Sequence, residues 1–351
     1  MTTAIFDGHN DLLTRLWMAR DADPVALFRD GRGAEGHLDA PRMARGGMVG
    51  GFCAIWVPSP VEIGDIMEKM QRASYDLPLP YELAQDYALR VVMEQASILS
   101  RLDHAGQLMI CTSVPAIRRA RDMGVPAAIL HLEGAEAIGA GLAELDVLWR
   151  AGLRSLGPVW SRPTRFCDGV PFRFPSGPDT GGGLTEAGRA LVSRCAELGI
   201  LVDLSHMTEA GFWDVADMGV PLVATHSNAH ALCPHSRNLT DRQLRAIADS
   251  GGIVGLNFAT AMLRPDGRMV ADTPLSVMLA HLDHMIALMG EDHVALGSDF
   301  DGAVVPADIA DAAGLPLLVA AMETHGYSST RIEKIAFENW MAALGRVWHG
   351  T

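Results

Sequence analysis

The sequence lacks long hydrophobic runs and has little positive charge. No apolar stretch in its 351 residues approaches the roughly 18 residues that a membrane-spanning helix needs. Only two lysines occur, Lys69 and Lys334, and 42 acidic residues outnumber 28 basic ones to give a net charge of −14. This balance argues against nucleic acid or an anionic membrane as the main partner.

Cysteine pairs and targeting segments are also missing. The five cysteines are scattered without a CxxC pair, which argues against both a disulfide framework and a thiolate zinc site. Residues 1–10 have neither the basic nor the apolar region of a signal peptide, and no hydrophobic tail for a lipid anchor ends the chain. We therefore expect a cytoplasmic protein without membrane attachment.

Eight short apolar segments alternate with longer helical patterns along the chain. Near-continuous apolar strands are typical of a parallel sheet that is buried on both faces. Eight such strands with helices between them favour a (β/α)₈ barrel, in one catalytic domain over residues 1–351. The predicted strands are 4–6, 49–57, 127–132, 153–160, 200–204, 222–225, 253–258 and 294–297, with an extra strand at 108–111.

The helical patterns and one long connection complete the predicted barrel. A capping-box spacing, Thr240 to Gln243, opens one of the helices. Residues 161–183 hold several prolines and glycines and are long for a structureless connection, so we predict a functional lid there. No GxGxxG motif follows the first strand, which leaves a dinucleotide site without support. The predicted helices are 81–102, 185–198, 240–248, 274–289 and 330–348.

Histidines and carboxylates follow the predicted strands at the edge where barrel active sites lie. Neutral imidazoles with a carboxylate between them suit a pair of zinc ions, and Glu133 is the natural bridge. A carbamylated lysine is another known bridge, but neither lysine follows a barrel strand. Two roles are equally open for His131: support of a metal ligand and packing in the core. Two roles are also open for Asp301: support of a metal ligand and capping of a helix. The predicted metal ligands are His9, Asp11, Glu133, His206 and His226.

Several segments together resemble the membrane (renal) dipeptidase family of binuclear zinc peptidases, as a bacterial soluble member. They are DGHNDL at 7–12, EG at 133–134, GLTEAGRALVSRCAELGILVDLSH at 183–206, THSNAHALCPHSRNLTDRQLRAIADSGGIVGLNF at 225–258 and HVALGSDFDG at 293–302. The resemblance implies one zinc on His9, Asp11 and Glu133 and a second on Glu133, His206 and His226. It also implies that Arg237 binds the substrate carboxylate, that Asp299 is the acid/base residue, and that the protein forms a homodimer.

The implied reaction is hydrolysis of a dipeptide, L,D-dipeptides included, by attack of a metal-bridging hydroxide. Asp299 would take the proton and deliver it to the departing amine. An N-acyl amino acid deacylase, or another amide hydrolase on the same site, is an alternative. A metalloprotein that binds ligands without turnover is a third, against which the intact ligand set and Asp299 argue.

The sequence departs from the family pattern after the fourth strand. Aligning LRSLGPVWSRP by its strand places Trp160 where many members have a histidine that hydrogen-bonds the substrate carbonyl. An indole donates one N–H and cannot carry a charge. We expect either a substitute donor and an altered substrate range, or a tryptophan that packs against the lid. The candidate substitutes are Arg162 and Arg165 in the lid and His230 and His235 after strand six.

Overall fold

Eight parallel strands close into a barrel in a computed structural model that describes residues 3–20, 22–31, 36–60 and 66–348. Strands β1 to β5 pair in chain order, and β6 to β8 form a second run. The runs meet where Asp203 pairs with Val223 and where Asn10 pairs with Phe300. The strands are β1 Ile5–Asn10, β2 Met48–Trp56, β3 Ala127–Glu133, β4 Leu153–Gly157, β5 Leu201–Val202, β6 Val223–Ser227, β7 Ile253–Asn257 and β8 Val294–Gly297.

The barrel strands are buried on both faces, as their apolar composition predicts. Every residue of each strand except β2 is buried, and β2 is partly exposed at Val49 and Trp56 alone. The bottom of the barrel is filled by aromatic side chains, among them Phe6, Phe52 and Trp340. The functional side chains are therefore confined to the opposite end, where the strands terminate.

Helices surround the barrel, and the predicted capping box is present. Thr240 and Gln243 exchange the two expected hydrogen bonds at the start of their helix. The α-helices are Leu12–Met18, Pro24–Asp30, Ala40–Gly46, Ile66–Lys69, Gln85–His104, Val114–Met123, Ala143–Arg150, Glu186–Leu198, Glu209–Ala216, Asp241–Asp249, Thr260–Leu263, Leu275–Met289, Leu315–Thr324, Ser329–Glu333 and Asn339–Val347. Lys334–Glu338 is a π-helical segment, and Glu291–His293 and Ala312–Gly314 are 3₁₀ turns.

Two boundaries differ from the prediction. Strand β4 ends at Gly157 rather than at residue 160, because Pro158 has no N–H to donate to the ladder. The predicted helix 81–102 begins at Gln85. The extra strand is present as Met109–Ile110, which pairs with β3. An antiparallel pair of two-residue strands, Tyr75–Asp76 and Arg173–Phe174, is too short to leave a pattern in the sequence.

The segment predicted as a lid, residues 161–183, is packed into the fold. Phe166, Cys167 and Val170 are buried, and the backbone N–H of Val170 donates to the carbonyl of His206 at 2.9 Å. The segment thus covers one side of the barrel mouth, and its movement over a substrate stays a prediction. Within the described residues, no helix is long and apolar enough to cross a bilayer.

Candidate active site

The five predicted metal ligands meet at the end of the barrel axis. Glu133 lies between the others: its Oε1 is 2.9 Å from His206 Nε2 and 3.5 Å from His226 Nε2. Its second oxygen, Oε2, is 3.6 Å from His9 Nε2, which is also 3.6 Å from Asp11 Oδ2. All five side chains are almost fully buried. Glu133 therefore stands where a bridging carboxylate would have to be.

Hydrogen bonds fix the ring of His226 with its Nε2 lone pair toward the cluster. The Thr225 hydroxyl donates to Asp203 Oδ2 at 2.6 Å, so its oxygen accepts from His226 Nδ1 at 2.9 Å. Asp203 Oδ1 in turn accepts from the backbone N–H groups of Ser205 and Thr225. Asp203 is therefore a positioning residue whose oxygens are already engaged, rather than a ligand.

Burial keeps two of the histidines in the form that binds metal. It lowers the pKa of both His206 and His226 well below the usual value, with nearby positive groups such as Arg237 acting in the same direction. Both rings are therefore neutral near pH 7 and present a lone pair. Ser161 Oγ lies 2.9 Å from His206 Nδ1 and orients this second ring as Thr225 orients the first.

The donor set fits divalent zinc. Both ring nitrogens of His9 are buried without a hydrogen-bond partner among the described residues, although Nε2 faces two carboxylates. Imidazole nitrogen and carboxylate oxygen are ligands that zinc accepts. His131 lies beside this group, with its ring centroid 5.4 Å from that of His9 and its Nδ1 2.8 Å from Ser155 Oγ. The same ring lies 6.3 Å from that of Phe52 in the core, so both roles predicted for His131 stay open.

Asp299 faces the cluster from the turn after β8. Its backbone lies in the left-handed region, with φ +59°, and its N–H donates to the His9 carbonyl at 3.0 Å. Asn257 Nδ2 donates to Asp299 Oδ2 at 3.0 Å, which leaves Oδ1 for another partner. Burial raises the pKa of the Asp299 carboxyl, while His9, Asn257 and Arg237 oppose that effect. Asn257 lies within the segment 225–258, but nothing in the sequence indicates that it contacts Asp299.

Asp301 supports this turn from behind. Its carboxylate accepts a hydrogen bond from Arg15 Nε at 2.8 Å and another from the backbone N–H of His37. Asp301 is also left-handed, with φ +68°. Two strained residues in one turn persist only where surrounding contacts hold them. The role of Asp301 is thus to hold the turn that presents Asp299.

Arg237 is buried beside the histidines, as an anion-binding residue would be. Its guanidinium donates to the carbonyl of Ser205 and to that of His226, the latter at 3.2 Å. Its Nε has no hydrogen-bond partner among the described residues. Burial lowers the pKa of Arg237 to about 10, so the group stays charged near pH 7. A buried cation at the cavity surface whose hydrogen bonds go to neutral groups is suited to a substrate carboxylate.

A cavity of about 650 Å³ opens above these residues. Its polar end is formed by ligands of the cluster together with Arg237 and Asp299. The remaining wall is mostly apolar and rich in methionine, and sequence reasoning did not find it because its members come from several separate loops. The apolar lining consists of Met18, Ala19, Leu27, Trp56, Ile66, Met67, Met70, Trp160, Phe172, Ala259, Met262, Met269 and Ala303.

Trp160 lines the cavity, but the predicted substitutes for the family histidine do not. Arg162 is fully buried behind Trp160, with its Cζ 5.3 Å from the indole centroid and its Nη1 2.8 Å from Glu136 Oε1. Arg165 is exposed and contacts Gln85. His230 Nε2 contacts the Ser176 carbonyl at 2.9 Å. None of these three side chains is among the described residues that line the cavity, and their role as substitute donors stays a prediction.

His235, the fourth candidate, lies beneath Arg237. It is fully buried and its Nδ1 accepts from the Arg237 backbone N–H at 3.0 Å. Burial lowers the pKa of His235 to about 3. The neutral ring of His235 accepts this backbone hydrogen bond, so His235 supports Arg237 and does not contact the cavity.

The placement of Arg162 gives the first prediction. Arg162→Ala leaves Glu136 buried without its partner, which costs about 3–5 kcal/mol of unfolding free energy. Urea unfolding followed by circular dichroism measures this loss. Arg194→Ala, which breaks an exposed pair with Asp146, is the matched control and should leave stability nearly unchanged. Equal stability of the two variants would contradict the buried ion pair.

Comparison with known proteins agrees with the resemblance found in the sequence. A family model described as membrane dipeptidase (peptidase family M19) matches residues 1–349. A curated dipeptidase, tcpJ from Claviceps purpurea, is 26% identical over 347 residues, which cover 97% of this chain and 76% of the relative.

Two solved structures match along the whole chain. A metallopeptidase from Rhodobacter sphaeroides, liganded with a phosphinate mimic of the dipeptide L-Ala-D-Ala, is 51% identical with a TM-score of 0.97, covering 99% of this chain and 100% of that one. A structure described as dipeptidase AC, a family M19 metallopeptidase, is also 51% identical, with a TM-score of 0.96 and full coverage of both chains.

Proposed function

This chain belongs to the membrane dipeptidase family of metallopeptidases, and on that premise we propose that it hydrolyses dipeptides, L,D-dipeptides included, with two zinc ions. The observation that carries the proposal is the buried cluster in which Glu133 lies between His9 and the pair His206 and His226. The mimic of L-Ala-D-Ala bound to the Rhodobacter sphaeroides relative supports the L,D class of substrate.

The proposed ligand sets share one carboxylate. His9, Asp11 and Glu133 would hold one zinc ion, and Glu133, His206 and His226 the other. Zinc ions at such a site lower the pKa of a bound water and polarise a carbonyl oxygen. The residues around the ligands, Thr225 and Ser161, keep both histidine rings in fixed orientations.

Asp299 and Arg237 supply the remaining steps. With Oδ2 held by Asn257, Asp299 accepts the proton of the attacking water at Oδ1 and transfers it to the nitrogen of the leaving residue. Water adds across the peptide bond, so the two products are free amino acids. Arg237 binds the carboxylate of the C-terminal residue and thereby aligns the scissile bond with the cluster.

The N-acyl amino acid deacylase remains the second candidate, because the apolar cavity wall also suits an acyl chain. The two functions are separated by the zinc-loaded protein acting on paired substrates. L-Leu-D-Ala and N-isocaproyl-D-Ala differ only in the amino group of the first residue. We expect faster hydrolysis of the dipeptide; hydrolysis of the acyl compound alone would favour the deacylase.

Three further features of the proposal come from the sequence. We propose one catalytic domain over residues 1–351, of which residues 1–2, 21, 32–35, 61–65 and 349–351 lie outside the described part. A cytoplasmic location and a homodimer are predicted in the same way. The net charge of −14 supports a small-molecule substrate rather than a nucleic acid partner.

Arg237→Ala should chiefly weaken substrates that carry a free C-terminal carboxylate. Loss of a charge-assisted hydrogen bond costs about 1.5–3 kcal/mol, which corresponds to roughly 10- to 150-fold in kcat/KM. Amidation of the substrate carboxylate should therefore cost the wild type much and the variant little. Measurement of kcat/KM for a dipeptide and its amide with both proteins checks this. An equal loss on amidation in both proteins would exclude the carboxylate-binding role.

A further inference from the structure

The cavity has one wall without any charged side chain among its described lining residues. We call it the apolar wall and define it as Trp56 at the end of β2, Ile66, Met67 and Met70 after that strand, and Met18 at the end of the first helix. Arg15 and Asp301 line the cavity nearby, but they are paired with each other at 2.8 Å. The apolar wall therefore offers a substrate packing area, and its described residues offer no counter-charge.

Barrel order places the apolar wall across the mouth from Arg237. Arg237 follows β6, where it contacts the His226 carbonyl, and most of the wall follows β2. In an eight-stranded barrel, β2 and β6 are diametrically opposite. The ligand cluster lies between them, because its residues come from β1, β3, β6 and the end of β5.

This order fixes how a bound dipeptide extends. With the C-terminal carboxylate on Arg237 and the scissile carbonyl at the ligand cluster, the N-terminal residue must point away from Arg237. Its side chain then meets Trp56, Met67 and Met18. The C-terminal residue stays near Arg237, where Phe172 is 6.3 Å from the ring of His206.

The size and composition of the wall point to large apolar side chains. A cavity of about 650 Å³ exceeds what a dipeptide with two methyl side chains fills. Methionine side chains are flexible and polarisable, so they adapt to apolar groups of different shape. Trp56 adds a rigid face, since its ring packs 5.1 Å from that of Trp160.

We propose that the apolar wall is the specificity-determining subsite for the N-terminal residue, and that the enzyme prefers dipeptides beginning with a large apolar residue. The inference rests on the proposed dipeptidase function and deepens it by naming the substrate class. An aliphatic side chain gains by leaving water for this wall, whereas an acidic or basic one loses its hydration without a partner.

Two substrate series test the proposal on the zinc-loaded enzyme. In the first, the N-terminal residue is Ala, Leu, Met, Glu or Lys and the C-terminal residue is D-Ala. In the second, the N-terminal residue is L-Ala and the C-terminal residue carries the same five side chains. In the first series we expect kcat/KM for Leu or Met to exceed that for Ala by about 10-fold or more. Glu and Lys should fall below Ala, and the second series should lack this pattern.

A double variant tests whether the preference for a large apolar N-terminal residue depends on the apolar wall. Met18→Gln with Met67→Gln keeps side-chain length and adds polarity at two exposed positions, 53% and 40% accessible. It should lower the Leu-to-Ala ratio of kcat/KM at least about fivefold. Met93→Gln with Met123→Gln, at exposed helix positions outside the cavity, is the matched control and should keep the wild-type ratio.

The outcomes separate this inference from the proposed function. Hydrolysis of dipeptides without preference at the N-terminal position, or a preference that the double variant leaves intact, would overturn the subsite and leave the dipeptidase standing. A preference at the C-terminal position that responds to the double variant would overturn the orientation. Hydrolysis of N-acyl amino acids with no dipeptide turnover would overturn both.

Discussion

Replacing Asp299 with asparagine is expected to reduce kcat by roughly 10²–10⁴-fold, the range that general acid–base catalysis contributes. The amide keeps the shape of the carboxylate and a hydrogen bond to Asn257, but it cannot accept a proton at the position of Oδ1. Metal content and KM should stay close to the wild-type values, because Asp299 is in neither proposed ligand set.

Steady-state kinetics together with elemental analysis of the same sample checks this result. Asp308→Asn, an exposed carboxylate nine residues further along, is the matched control and should keep wild-type kcat. A near-normal kcat in Asp299→Asn would exclude the proton-transfer role. Loss of metal from that variant would instead place Asp299 among the ligands.

The second large effect is expected at Gly302. A Cβ at this position would overlap Asp11 Oδ2 and lie 2.5 Å from Asp299 Oδ1. One added methyl group therefore displaces a proposed ligand and the proposed acid/base residue together. We expect Gly302→Ala to lose 100-fold or more in kcat/KM, on the order of what a displaced catalytic group costs, and to retain less metal than the wild type.

Gly345→Ala is the control for this substitution, because a Cβ there would meet nothing within 4 Å apart from its chain neighbours and its own helix backbone. Its place inside the helix Asn339–Val347 favours alanine, so activity should be unchanged and stability slightly higher. Circular dichroism would show whether Gly302→Ala is folded. Wild-type activity in folded Gly302→Ala would show that a Cβ at this position displaces neither Asp11 nor Asp299, and would contradict the prediction.

Strand periodicity predicted those parts of the site that follow directly from a strand end. His9, Asp11 and Glu133 end or follow β1 and β3, so a correct barrel assignment brings them together. His226 lies within β6 and follows the same logic. The sequence therefore predicted that these residues lie close together, because buried parallel strands leave only one edge for polar side chains.

Contacts between distant loops could not be predicted in the same way. The sequence places Arg162 in a loop, where a cation is expected to be exposed. In the structure it is buried, because Glu136 and Ser59 from two other loops accept its hydrogen bonds. In the sequence, Asn257 is only the last residue of a strand, and its hydrogen bond to Asp299 is visible only in the structure. Such roles depend on side-chain positions that no spacing in the chain encodes.

The lid stays a prediction. The prolines and glycines of residues 161–183 and the length of the segment predict a functional lid there. The segment is irregular because it follows the barrel mouth, and it is held by backbone hydrogen bonds such as that from Thr164 to Cys167 at 3.0 Å. Composition separates irregular backbone from helix and strand, but it does not separate packed loops from mobile ones.

The central claim is that zinc bound by His9, Asp11, Glu133, His206 and His226 is required for dipeptide hydrolysis. The most direct measurement adds zinc stepwise to chelator-treated protein while hydrolysis of L-Leu-D-Ala and bound metal are followed together. We predict no hydrolysis at the start and a rise that levels off at about two zinc ions per chain. Full hydrolysis by protein that holds no metal would contradict the claim.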